Sequence, residues 1–223
     1  INAMKVTGKD KESAKVVVNG AGSAGVAITK LLLTYGFKDV TMCDISGILG
    51  KGSQNLNWMQ QKMVEVTNPE QKTGTLADAL KGADIFVGVS APNIVTQDMV
   101  ASMNKDAILF AMANPVPEIM PDIAKAAGAK VVGTGRSDFP NQVNNVLGFP
   151  YIFRGALDVR ATKINEEMKL AAAHALAELT RQPVPTMVLR AYGVEKLEFG
   201  RTYLIPKPLD PRLLCTVAPA VAK

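Results

Sequence analysis

The strongest pattern of apolar and polar positions lies between Lys15 and Asp44. Val16, Val17 and Val18 form an unalternated β-branched run, the signature of a strand buried on both faces. From Val26 the apolar positions Val26, Ala27, Ile28, Leu31, Leu32 and Leu33 cover one broad helical face, and Gly36 offers a left-handed stop. Residues 40–44 read as a second short strand. A Gly-rich loop over 45–53 follows, then a helix over 55–66 with Leu56, Met59, Met63 and Val66 at helical spacing; these methionines and Trp58 read as packing. Thr75 opens a short helix to Lys81, stopped by Gly82, and 84–90 is a buried strand. The order then repeats, with a helix over 96–103, a strand over 107–112, a helix over 121–127 and a strand over 130–133.

Strands alternating with helices predict βαβ units. The fold class is therefore α/β, a Rossmann-type doubly wound, mainly parallel sheet with flanking helices and a C-terminal extension. Crossovers of one hand place a ligand across the carboxyl ends of the strands. The loops there, 90–93, 113–118 and 135–138, hold the least generic residues of the chain. Further on, an alanine-rich helix is predicted over 161–180, where His174 reads as a partly buried helical residue. The proline-rich 205–211 must be extended, and 218–222 begins to look helical.

The link between the first strand and helix carries candidate chemistry. Gly20, Gly22 and Gly25 fit G-x-G-x-x-G: the first permits a tight turn, the second lets backbone approach a pyrophosphate, and the third lets helix pack close to strand. Phosphate charge would sit on free N–H groups at the helix start. Asp44 ends the next strand about twenty residues on, where a carboxylate can accept hydrogen bonds from both hydroxyls of an adenosine ribose. Alone the glycine pattern is weak, but strand, helix and acid in order make it a dinucleotide site.

Composition narrows the partners. Hydrophobic content of 48% and charged content of 20% over 223 residues describe a globular chain, and no apolar run approaches the roughly twenty residues a membrane helix needs. The formal charge of +5 is scattered and only 5% of residues are aromatic, so no nucleic acid is expected; a mildly basic surface also suits an anionic cofactor. Two widely separated cysteines, Cys43 and Cys215, read as reduced thiols of a cytoplasmic protein. Residues 1–13 are polar enough to stay at a surface, and the missing initiator methionine suggests that something upstream was removed.

Five segments taken together point further: INAMKVTGK, VVVNGAGSAGVAI, FAMANPVPEI, GRSDFPNQVNNVLGFPYIFRGALDVRA and FGRTYLIPKPLDPRL. In this order they resemble the malic enzymes, above all the shorter bacterial type, over almost the whole chain. That resemblance implies oxidation of L-malate with NAD or NADP and decarboxylation to pyruvate and carbon dioxide, with Mg²⁺ or Mn²⁺ in the full-length enzyme. It implies that Gly20, Gly22, Ser23, Ala24 and Gly25 hold the pyrophosphate, that Asp44 with Ile45 faces the adenosine ribose, and that Val89, Ser90 and Ala91 line the nicotinamide side. Asn114 and Asn145 resemble the asparagines that reach malate and the nicotinamide ribose, although asparagines in turns also serve as local caps. For Arg136, Asp138 and Arg154, salt bridging stands beside ligand contact.

The same resemblance places the general-acid tyrosine, the general-base lysine and the metal carboxylates in a substrate domain upstream, so no catalytic or metal-binding residue is expected in this chain. Residues 1–14 would lead in from that domain, 15–180 would form the nucleotide domain, and 181–223 a truncated C-terminal extension. The fragment alone is expected to be inactive and the full-length protein a homodimer. Tyr151 stands where the family usually has glycine, which puts close backbone contacts in its loop in doubt. Asp44 favours NAD, whereas Lys51 could neutralise the 2′-phosphate of NADP. The rival readings are a stand-alone dinucleotide-binding regulatory module and an amino-acid dehydrogenase domain, which fits the asparagine loops less well.

Overall fold

The computed structural model of the chain describes residues 1–223. Six strands, β1 (Lys15–Asn19), β2 (Asp39–Asp44), β3 (Gly47–Ile48), β4 (Ile85–Gly88), β5 (Ile108–Ala111) and β6 (Val131–Thr134), form one sheet in the order β3-β2-β1-β4-β5-β6. All neighbours pair in parallel except β2 with β3. The helices are α1 (Asn2–Thr7), α2 (Ser23–Tyr35), α3 (Trp58–Met63), α4 (Leu76–Leu80), α5 (Gln97–Ala101) and α6 (Pro121–Ala126), followed by α7 (Phe149–Asp158), α8 (Glu166–Thr180), α9 (Thr186–Ala191) and α10 (Arg212–Ala222). They form two compact units, Thr7–Phe139 and Pro140–Lys223 together with Ile1–Val6.

In the first unit the doubly wound sheet is the one the sequence predicts. Val17, Phe86, Leu109 and Val132 stand opposite one another across β1, β4, β5 and β6, and all enter one buried cluster with residues of α4, α5 and α6. Alternation sends Met42 to the other face, where it packs with Ala21, Val26, Met63 and Val64 from the α2 and α3 side. Burial of both faces explains the unbroken valine run, since Val16, Val17 and Val18 are at most 2% exposed. The strand order reverses between β1 and β4, which makes their carboxyl ends the switch point of the sheet.

Several sequence expectations need correction here. The Gly-rich segment 45–53 contains β3, because Gly47 and Ile48 pair with Asp44 and Cys43. Trp58, expected to pack, is 66% exposed at the start of α3, with Lys62 Nζ 5.0 Å from its ring. The leading residues are not simply superficial. Lys9 Nζ is ion-paired to Asp84 Oδ1 at 2.6 Å, and in the second unit Asn2, Ala3 and Met4 are buried, Asn2 Nδ2 donating to Ala177 O and Leu204 O.

The second unit is helical. Leu147, Ala172, Ala175, Leu179, Leu213, Val217 and Val221 form its core, brought together by packing among α7, α8 and α10. The compact units thus divide the chain near residue 140 instead of 180, because α8 packs with α10. The segment around Tyr151, expected to be loop, forms α7. Pro150 sits in its first turn, where its missing N–H costs nothing, and a Cβ on Gly155 would lie 2.4 Å from Ala218 O, so glycine admits α10. Tyr151 therefore has helical backbone and packs against the core cluster, which removes the doubt about a distorted loop. Helix α8 starts at Glu166 and not at residue 161, because Asn165 caps it by accepting from Met168 N. His174 is exposed on α8, not partly buried. Residues 212–217, beyond the proline-rich stretch, already belong to α10.

Candidate nucleotide site

The link from β1 to α2 is determined by close approaches. Gly20 has φ of 107°, and a Cβ there would lie 2.5 Å from Val89 O. A Cβ on Gly25 would lie 1.8 Å from Gly20 O, so the third glycine seats the helix against the turn. At Gly22 nothing lies within 4 Å of the Cβ position. Gly22, Ser23 and Ala24 are exposed, and no side chain caps the amino end of this thirteen-residue helix. Uncapped N–H groups at a helix start attract an anion.

This end opens onto a cavity of about 710 Å³ lined by residues that the sequence keeps far apart, among them Asn19, Gly20, Gly22, Asp44, Val89 and Ser90. Ala21, Ile45, Thr75, Ala91 and Ile94 complete much of the wall. The cavity crosses the carboxyl ends of β1, β2 and β4. The glycine cradle, the helix end and the acid fit a dinucleotide.

Asp44 is oriented from both sides. Its Oδ1 accepts from Ile45 N at 2.8 Å, and its Oδ2 from Gln60 Nε2 at 3.0 Å. The same Gln60 amide reaches Ala21 O at 3.3 Å, and its Oε1 accepts from Asn57 N in the capping box of α3. Each carboxylate oxygen keeps capacity for a further donor, as two ribose hydroxyls require. Lys51 instead pairs with Glu65 at 3.3 Å and lines a separate shallow hollow.

On the opposite wall, Asn19 Nδ2 donates to Ser90 Oγ at 2.7 Å, and Ser90 Oγ to Glu118 Oε1 at 3.2 Å. Sequence reading singled out neither Gln60, Asn19 nor Glu118 as a site residue. Gln60 stood three residues after Asn57 as an N-cap signal; the other two carry no local signature.

The remaining expected residues are placed differently. Ser23, Ala24 and Gly25 begin α2, and Asn114 is exposed in the turn after β5 and does not line the cavity. Asn145 belongs to the second compact unit, where it opens a single 3₁₀ turn over Asn145–Leu147. The local cap there is Asn144, which accepts from Val146 N, and Asn145 is exposed. Arg136 forms a two-pronged ion pair with Asp138 at 2.9 and 2.7 Å, and Arg154 pairs with Asp158 one helical turn away. No three His, Cys, Asp or Glu side chains come together to hold a metal ion. No helix is long and apolar enough to cross a membrane.

Comparison with known proteins identifies the family. The family model described as malic enzyme, NAD binding domain, matches residues 1–189. The bifunctional malic/malolactic enzyme of Bacillus subtilis is 54% identical over 100% of the chain and 51% of its own length. The NADP-dependent malic enzyme of Halomonas elongata is 50% identical over the whole chain and 53% of its own. The crystal structure of the NAD-dependent malic enzyme of Thermotoga maritima superimposes with a TM-score of 0.88 at 42% identity, covering 99% of this chain and 54% of that one. The chain thus spans about half the length of these three relatives. With most of its length under the family model and its cradle built as a dinucleotide requires, the chain belongs to the malic enzyme family, as its NAD-binding domain.

Proposed function

We propose that the chain binds NAD or NADP with the pyrophosphate on Gly20, Gly22, Ser23, Ala24 and Gly25, the adenosine ribose on Asp44 beside Ile45, and the nicotinamide against Val89, Ser90 and Ala91. One observation carries this reading: the uncapped start of α2 opens, through a turn with no room for a side chain at residues 20 and 25, onto a single cavity that also contains Asp44 and Ser90. Helix N–H groups supply the anion site, and Asp44 supplies paired acceptors.

The longer protein would oxidise L-malate and decarboxylate it to pyruvate and carbon dioxide, as membership of the malic enzyme family implies. The dinucleotide is the hydride acceptor there, and this chain binds and orients it. Asn114 would offer a neutral amide contact to malate or to the nicotinamide ribose. The general acid, the general base and the ligands of Mg²⁺ or Mn²⁺ would belong to the other half of a homodimeric cytoplasmic enzyme.

Calorimetric titration of the chain with NAD and NADP, beside an assay of malate oxidation with Mn²⁺, tests this. Binding without turnover is the expected outcome. Turnover would overturn the placement of the base and metal ligands, and failure to bind either cofactor would overturn the nucleotide site.

A further inference from the structure

Glu118 is the most enclosed carboxylate of the first unit, with 0% of its surface exposed. Its Oε1 accepts from Ser90 N at 2.9 Å and from Ser90 Oγ at 3.2 Å, and its Oε2 accepts from Ala113 N at 2.9 Å. It thereby ties together the first residues of two loops, the one after β4 and the one after β5. The strand beneath is shaped to admit it: a Cβ on Gly88 would come within 2.4 Å of Glu118 Cδ. The backbone of the same segment holds the far side of the β4 loop, with Asn93 N donating to Pro117 O and Val95 N to Glu118 O, both at 3.0 Å. Glu118 itself does not line the cavity.

These contacts separate two tasks. Main-chain bonds at residues 117 and 118 retain the loop whatever side chain stands at 118. The side chain sets only where Ser90 begins the loop, and Ser90 Oγ, held by Asn19 on one side and Glu118 on the other, has its hydroxyl direction fixed. A carboxylate suits the position because it is acceptor-only on both oxygens and meets three donors. Burying it without them would be costly.

We infer that Glu118 is a positioning residue for the dinucleotide, fixing through Ser90 the wall that receives the nicotinamide while leaving the adenosine end untouched. This rests on the orientation of the dinucleotide given above. Glu118→Gln preserves shape but offers one acceptor in place of two, so one buried N–H loses its partner. Fluorescence titration with NADH, and calorimetry with ADP-ribose, which lacks only the nicotinamide ring, separate contacts to that ring from those to the rest of the dinucleotide. The variant should bind NADH about tenfold more weakly and ADP-ribose within about twofold of the unaltered chain. Gly88→Ala, which pushes the carboxylate from below, should give the same selective loss and decides the matter if Glu118→Gln does not fold. Equal weakening of both ligands, or unchanged NADH binding, overturns the inference. If the unaltered chain bound neither ligand, the nucleotide reading would fall first, and the positioning role with it.

Discussion

Asp84, which leads into β4, and Glu118, which encloses the end of the same strand, are carboxylates satisfied in opposite ways. Asp84 accepts from Lys9 Nζ at 2.6 Å, from Lys15 N at 2.9 Å and from Asn104 Nδ2 at 3.1 Å. Burial pushes its pKa up, but the Lys9 ammonium, the Lys15 N–H and the Asn104 amide together hold it below the ordinary carboxylate value. Glu118 meets only neutral donors, and its bonds lie beneath the cavity wall. An ion pair at the amino edge ties the leading segment to the sheet; a cation-free acceptor at the carboxyl edge shapes a wall without adding positive charge beside it. The difference teaches that the two ends of a parallel sheet answer to different demands, stability at one and geometry at the other.

Substitutions at either edge can break that division. The largest effect is expected from Gly25→Ala, whose new methyl would meet Gly20 O: about 3 kcal/mol of stability and at least about a hundredfold in NADH affinity, read from a urea midpoint and a fluorescence titration. Asp84→Asn should cost about 1–3 kcal/mol at pH 7 with NADH affinity changed less than about twofold, since it acts only at the amino edge. Because the folded pKa of Asp84 is depressed, its contribution is fully present above the unfolded value of about 3.9 and is lost as pH falls through the folded value. The urea midpoints of the Asp84→Asn variant and its parent should therefore converge below about pH 4; a constant gap would refute the assignment. Asp44→Ala should weaken NAD and ADP-ribose alike, by roughly 1–2 kcal/mol, the reverse of the selectivity expected at position 118. Gln60→Ala should have the smallest effect, about 0.5–1 kcal/mol in the same titrations, because Asp44 keeps its bond from Ile45 N.

The first unit was legible because its signals are local. A valine run, three glycines at set spacing and an acid at the end of the next strand need no long-range information to read. Thr75 and Asp78 likewise announce their helix in four residues, and both halves of the capping box are present. Helix α7 was hidden for the opposite reason. Its asparagine-rich approach and Gly155 read as loop until α10 lies beside it, at a distance only glycine permits. The start of α8 was available in the sequence, since Asn165, Glu166 and Glu167 form a cap and an acidic first turn. Glu118 could not have been read. A glutamate after two prolines suggests solvent, and only the arrival of the Ser90 N–H and hydroxyl from the end of another strand, beside the nearby Ala113 N–H, makes it an interior residue.

The near contact between Gly88 and Glu118 also bears on how this domain can change by inheritance or by design. A larger residue at 88 evicts the acid, and replacing the acid alone strands the donors that converge on it. Neither position can therefore drift independently, and any library that redirects this domain toward another dinucleotide should vary the two as one joint site.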